Sequence, residues 1–132
     1  MLMLMPALIL VVLILGAIAI DSSRVLTRRI ELTDLAASAA DDAATAGLDV
    51  DHFRATGEYV IDPDRAALVV RTSLAASGVL DDLARPPVVT IVDPTTVSVE
   101  LTESVEHLFT PDIGRGGATV VTAAATATAI QR

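Results

Sequence analysis

The feature that most constrains this chain is an N-terminal run of 20 residues, 1–20, without a single charged or polar side chain. As a helix with a rise of about 1.5 Å per residue, the run reaches roughly 30 Å, the thickness of the hydrocarbon core of a bilayer. Backbone amides in lipid must find partners within their own segment, which leaves a helix as the expected conformation. The run therefore predicts a transmembrane segment.

An A-x-A pattern at residues 17–19 keeps a second interpretation open, in which the run is a secretory signal peptide cleaved after Ala19. Signal peptides carry a basic segment ahead of the apolar one, however, and residues 1–5 contain no basic side chain. The sequence therefore favours a retained anchor. Five positions spread along the run represent this predicted membrane anchor: Pro6, Leu10, Leu13, Gly16 and Ile20.

The charge balance of the chain excludes several classes of function. The 17 Asp and Glu residues outnumber the 9 cations, all of them Arg, and the formal net charge is −8. An acidic chain with few aromatic residues and no basic stripe argues against nucleic-acid binding. The absence of cysteine excludes disulfides and thiolate metal sites. The absence of lysine excludes cross-links through lysine, so we expect any assembly to be non-covalent.

Helical periodicity continues past the apolar run. Residues 21–46 contain neither glycine nor proline, and apolar side chains recur at spacings of three and four. This pattern predicts one helix over residues 6–46, capped by Gly47. The stripe of its outer half, which we call the stalk stripe, is Val25, Leu32, Leu35, Ala36, Ala39 and Ala43. Small residues in the stripe suit packing either on the chain's own sheet, which is favoured, or on identical neighbours.

The remainder of the chain, residues 48–132, predicts a small head domain of α+β class. A second helix is expected to begin with Asp62 as N-cap and Pro63 in its first turn, and to stop at Gly78. Alternating and β-branched runs predict an antiparallel sheet of about 3–4 strands. The other expected segments are a connection at 49–56, a short strand at 58–62, a turn at 79–83, and strands at 88–92, 96–102 and 118–130. The predicted organisation is a transmembrane segment (1–20), a soluble helix continuation (21–47) and this head.

Residues with catalytic or metal-binding potential do not form a recognisable motif. His52 and His107 stand alone, and we interpret Glu103 and Glu106 near His107 as a solvated strand end. Ser104 lacks the G-x-S-x-G turn of a hydrolase, and the glycine-rich residues 114–117 lack the Lys-Ser/Thr of a phosphate loop. We therefore expect no enzyme activity, no cofactor, no metal and no small-molecule substrate.

The N-terminal third of the chain resembles the TadE/TadG-like family, the minor pilins and associated proteins of tight-adherence (Flp-type) pilus systems. The resemblance covers roughly residues 6–46 and rests on the order of four elements. These are Pro6 in the apolar run, the Gly16-Ala17-x-x-x-Asp21 pattern, Arg24 with Arg28-Arg29, and the Leu35-x-x-x-Ala39-Ala40-x-x-Ala43-Ala44 pattern.

The resemblance implies a single-pass protein of the cytoplasmic membrane whose head lies outside the cytoplasm. It implies the membrane, other pilus or assembly proteins and copies of the chain itself as partners, with entry into a surface pilus left open. Arg24, Arg28 and Arg29, just after the span, would by the positive-inside rule keep the head in the cytoplasm. The topology of the family that the chain resembles implies instead that the head lies outside the cytoplasm.

One departure from the family pattern refines this expectation. Family members that are processed like prepilins carry a basic leader and a glutamate before the apolar run, whereas this sequence begins at Met1. Either the leader lies upstream of an incorrectly placed start, or this member is an unprocessed anchored component. Without the glutamate, the pattern favours a minor, tip or initiating pilin, or an assembly accessory, over a regular fibre subunit. The alternative from another class is a membrane-anchored extracytoplasmic binding module unrelated to pili.

Overall fold

In a computed structural model, which describes residues 4–108 and 117–129, the N-terminal element is a single long helix, α1, Leu4–Ala46. Its 43 residues join the apolar run to the outer half without a break, as the periodicity predicts. Gly47 follows the helix, and its N–H donates to the Ala43 carbonyl at 2.9 Å. Among the described glycines, only Gly57 and Gly78 have a positive φ, so Gly47 does not form the left-handed cap that glycine usually supplies.

The two halves of α1 differ in what surrounds them. The apolar half is exposed along almost its whole length, and it is long and apolar enough to span a bilayer. The outer half is buried along one face, where Ala36, Ala40 and Ala43 are fully inaccessible to solvent. Side chains this small let the backbones of neighbouring elements approach the helix closely, so this face forms the centre of the head's core.

The segment after α1 differs from the sequence-based prediction. Residues 49–56, predicted as a connection, contain a short helix α2, Val50–Thr56, which Asp49 caps by accepting hydrogen bonds from the N–H groups of Asp51 and His52. The strand predicted at 58–62 is absent, since only an isolated bridge joins Leu48 and Ile61. Its backbone finds no neighbouring strand, because the Ile61 N–H donates instead to the Pro94 carbonyl in the turn between two strands of the sheet.

Helix α3, Pro63–Ala76, begins as predicted. The Asp62 side chain accepts hydrogen bonds from the N–H groups of Asp64 and Arg65, and Pro63 occupies the first turn, where a missing N–H costs nothing. Ala66, Val70 and Leu74 form its buried face and pack on α1. The helix ends two residues before Gly78, and a 3₁₀ turn, Leu80–Asp82, leads to the sheet.

Three antiparallel strands follow: β1, Val88–Asp93, β2, Thr96–Glu106, and β3, Ala118–Thr128. They lie in the order β1-β2-β3, so β2 is central and the other two are edges. The β2–β3 register is regular over all 11 residues, whereas the β1–β2 register shifts between Ile91 and Asp93. The fold is α+β, with α1 and α3 covering one face of this sheet.

Strand β2 is longer than the predicted 96–102, and its extension changes what its last residues face. Val97, Val99 and Leu101 are fully buried against the helices, as strict alternation predicts. Continuing that alternation places Glu103 on the same inward face, where it is 7% exposed. Glu103 therefore does not belong to a solvated strand end, and the sequence-based interpretation of this residue is wrong.

Candidate functional site: a charged cleft at the end of the apolar segment

The head meets α1 where the apolar segment ends. Asp21, the first charged residue of the chain, is 4% exposed and accepts a hydrogen bond from the Leu108 N–H at 3.1 Å. The residues that follow β2 are thereby fixed to the helix, directly after the last residue of the apolar run. A carboxylate placed beside an apolar segment needs such donors, because burial without them is costly.

Two turns further along α1, Arg28 pairs with two carboxylates on different elements. Its Nη1 lies 2.9 Å from Glu31 on the next turn, and its Nη2 lies 3.3 Å from Glu103 on β2. The hydrogen bond that Arg28 donates to Glu31 and the charge of Glu103 raise the pKa of Arg28 above its usual value. Arg28 is thus a permanent cation that compensates the buried charge of Glu103 and joins helix to sheet.

These contacts border a cleft between α1 and the last residues of β2, which we call the basal cleft. It has a volume of about 720 Å³, and its walls carry charges of both signs. The residues that define it are Ile20, Arg24 and Arg28 on α1, and Glu103, Glu106 and Leu108 around the end of β2. Ile20 belongs to the apolar run, so the cleft begins at the depth where the predicted anchor ends.

A smaller cavity of about 310 Å³ lies beside Asp21, with Val25, His107 and Thr119 among the residues that line it. The His107 Nε2 lies 2.8 Å from the Thr119 hydroxyl, and its buried Nδ1 has no hydrogen-bond partner among the described residues. Within residues 4–108 and 117–129, no group of three His, Asp or Glu side chains converges to hold a metal ion.

The residues that the sequence singled out divide between two environments. Those of the predicted anchor, Pro6, Leu10, Leu13, Gly16 and Ile20, are all exposed on the apolar half of α1. Within the stalk stripe, Leu32, Ala36, Ala39 and Ala43 are buried, and Val25 and Leu35 are partly buried against the same core. The stripe packs on β2, β3 and α3 of its own chain. It is therefore occupied, and it is not the face that a neighbouring molecule would contact.

The sequence did not predict the contact of Asp21 with Leu108, the pairing of Glu103 with Arg28, or the cleft itself. The signal for Glu103 was present in the alternation of β2, which continues for two further pairs of residues beyond the predicted strand end. The cleft had no local signal, because its two walls are about 80 residues apart in the chain, as Asp21 and Leu108 illustrate with a separation of 87.

The described architecture is that of an α+β head on a long helix that can serve as a single membrane span. No protein-family model, no curated protein and no solved structure matches this chain.

Proposed function

We propose that the protein is a membrane-anchored minor pilin or pilus-assembly component of a tight-adherence, type IV-like system. The observation that carries the proposal is the continuity of α1, Leu4–Ala46. One unbroken helix contains an exposed apolar half and a half that forms the core of the head. A protein built in this way couples its head rigidly to the membrane, as an assembly subunit requires and a flexibly tethered domain does not.

The residues behind the TadE/TadG-like resemblance support the proposal through the contacts they make. Asp21, which ends the Gly-Ala-x-x-x-Asp pattern, holds Leu108 of the head. Arg28, from the arginine-rich turn, pairs with Glu103 of β2. Ala39 and Ala43, from the alanine-rich pattern, are buried in the core. A pattern of this kind is expected wherever a membrane helix must also carry a head.

The outer face of α1 supplies a surface for assembly partners, including copies of the chain. Leu26 and Ile30 lie one turn apart on the soluble half and are 60% and 56% exposed. They are exposed apolar side chains beyond the predicted membrane boundary. Because the stalk stripe is occupied within the chain, packing between neighbouring helices would use Leu26 and Ile30.

Piliation of the producing cells tests this proposal. Loss of the gene is expected to reduce pili seen by electron microscopy, and the double variant Leu26→Ser/Ile30→Ser to reproduce that loss in a protein that is still folded. Leu68→Ser is the matched control, since Leu68 is 65% exposed on α3, away from the helix face in question. Unaltered piliation after gene deletion contradicts the proposal.

We further propose that the head lies outside the cytoplasmic membrane. The chain has no cysteine, so a single cysteine introduced at exposed Thr72 provides an unambiguous label. A membrane-impermeant thiol reagent should label this variant in intact cells. Protection in intact cells, with labelling only after lysis, would place the head in the cytoplasm and support the positive-inside interpretation.

A second candidate function is an anchored extracytoplasmic binding module unrelated to pili, and the basal cleft is the observation that favours it. The two candidate functions predict different effects of substitutions on the outer face of α1. A binding module keeps its activity in the Leu26→Ser/Ile30→Ser variant and responds to changes in the cleft, whereas an assembly subunit fails to assemble.

A further inference from the structure

The basal cleft contains one cation and one carboxylate that have no partner within the described residues. Arg28 is occupied by Glu31 and Glu103. Arg24 and Glu106 line the same cleft from opposite walls, both are exposed, and neither forms an ion pair with the other or with any described residue. The cleft thus presents one positive and one negative charge that do not pair with each other.

The cleft also lies at a defined depth relative to the apolar segment. Ile20 ends that segment and lines the cleft, and Arg24 follows one helical turn later, about 6 Å further along the axis. The polar headgroup layer on each side of a bilayer is roughly 5–7 Å thick. If the apolar segment spans the hydrocarbon core, Arg24 and Glu106 face the headgroup layer.

The chemistry of the walls distinguishes among lipid headgroups. Among the described residues, two arginines and three glutamates, Glu31, Glu103 and Glu106, line the cleft, so a purely anionic headgroup meets more repulsion than attraction from them. A choline group is recognised by aromatic faces, and none of the described lining residues is aromatic. A primary ammonium instead donates hydrogen bonds to a carboxylate, while a phosphate accepts them from a guanidinium.

We propose that the basal cleft binds the headgroup of phosphatidylethanolamine, with the phosphate on Arg24 and the ammonium on Glu106. The inference rests on the membrane anchoring in the proposed function, and it adds a specific lipid to the partners of the chain. Arg28 and its two carboxylates hold the walls in place. Binding at this position would orient the head on the membrane surface, because Leu108 and Asp21 fix the same region of β2 to α1.

Native mass spectrometry of the full-length protein in detergent, titrated with single lipids, tests the proposal. Phosphatidylethanolamine is expected to bind at least about tenfold more tightly than phosphatidylcholine or phosphatidylglycerol, the effect of one charge-assisted hydrogen bond. Glu106→Gln should remove most of this preference, whereas Arg24→Gln should weaken the binding of all three lipids, because all three carry the phosphate. Equal binding of the three lipids overturns the proposal.

Two matched variants control for charge alone. Arg29→Gln removes a nearby cation of α1, about 8 Å further along the helix axis than Arg24, and Glu100→Gln removes an exposed carboxylate from the same strand, but neither residue lines the cleft. Both are expected to keep the lipid affinity and the lipid preference. A loss of affinity in Arg29→Gln equal to that in Arg24→Gln would show general electrostatic attraction to the membrane, and the cleft assignment would then be wrong.

One further measurement distinguishes the lipid from the free headgroup compound as the ligand. Another distinguishes a failure of this inference from a failure of the proposed function. Soluble phosphoethanolamine should bind at least about tenfold more weakly than the lipid, because Ile20 and the anchor contact only the lipid. Equal affinity identifies a site for the free compound and overturns the lipid assignment. Alkaline carbonate extraction of membranes reports on the anchor independently. Release of the protein would contradict the proposed function, whereas loss of lipid preference in a retained protein contradicts only this inference.

Discussion

At the scale of single residues, Gly47 has a different role from the helix cap that its position suggests. A Cβ added to Gly47 would overlap the Ala43 carbonyl oxygen and lie 3.2 Å from both the Cα and the Cβ of Ala66. The glycine is therefore required both by the local backbone, which brings the Ala43 carbonyl of the preceding turn against this position, and by the close approach of Ala66 on α3. Ala66 is itself fully buried, so it cannot move aside without disturbing the core.

We expect Gly47→Ala to lower the free energy of unfolding of the head by about 1–3 kcal/mol, the usual effect of overpacking. Gly117→Ala is the matched control, because a Cβ there meets nothing within 4 Å and φ is not positive. Its effect should stay within about 0.5 kcal/mol. Urea unfolding followed by circular dichroism measures both variants, and an unchanged or raised stability for Gly47→Ala would show that the crossing is loose.

Arg28 is the second residue with a testable structural role. Arg28→Gln leaves the buried Glu103 without its cation, whereas Arg28 itself is half exposed, with 48% of its side chain accessible. The expected loss, about 1–3 kcal/mol, is therefore smaller than for a fully buried pair. The double variant Arg28→Gln/Glu103→Gln should recover part of it, because the uncompensated charge is gone. A double variant that is as unstable as Arg28→Gln would argue against charge compensation.

At the scale of elements, the two edges of the sheet differ. Strand β1 is short, is preceded by Pro86-Pro87 and contains an irregularity at Ile91, all of which limit pairing with another strand. Strand β3 has 11 residues, no charge, no proline and a regular register. Hydrogen bonds from His107 to Gly117 and from Ala129 to Thr95 continue the β2–β3 ladder, so the odd-numbered residues of β3 bond to β2. The even-numbered residues direct their backbone groups to the open edge.

The alternation of odd- and even-numbered residues along β3 predicts that neighbouring proline substitutions destabilise the head to different extents. Ala125→Pro removes a ladder hydrogen bond to β2 and should cost about 3 kcal/mol or more, a loss sufficient to unfold a marginally stable head. Ala124→Pro removes only an outward N–H and should cost much less, as for proline on sheet edges in general. Thermal unfolding of the two variants under identical conditions provides the comparison. Equal destabilisation would indicate that the edge of β3 is not open.

At the scale of the whole molecule, the head is built entirely from residues beyond the apolar segment. Only 6% of the most apolar stretch of α1 is buried, while the core extends from Leu32 to Ala123. The apolar half therefore adds little to the stability of the head, and its exposure is consistent with lipid as its surroundings. The two halves share a helix but bury their apolar surface in different places.

Removal of residues 1–17 should therefore leave a folded head. The fragment 18–132 retains Ile18 and Asp21. We expect its free energy of unfolding to lie within about 1 kcal/mol of that of the full-length protein in the same detergent. Amide hydrogen exchange of α3 and β2 provides a residue-level check on the same fragment. Loss of protection in β2 would show that the apolar half supports the head directly.

Most of the fold was determined by local patterns in the sequence. The exposed apolar half, the helix that continues from it, the Asp62 cap and the alternation of β2 all follow from periodicity and capping, which act over a few residues. Helix α2 was missed because its stability depends on the Asp49 cap and a closing Gly57, and its seven residues are too few for a clear period.

The tertiary structure alone decided which charges meet and which surfaces remain open. Three features depend on contacts between residues far apart in sequence. They are the packing of the stalk stripe on the chain's own sheet or on a neighbour, the solvation or pairing of Glu103, and the presence of a partner strand beside β3. Such contacts depend on the shape of the assembled layers, and no periodicity encodes them. The N-terminal apolar run predicted a membrane anchor by itself, but only the fold placed a charged cleft at its end.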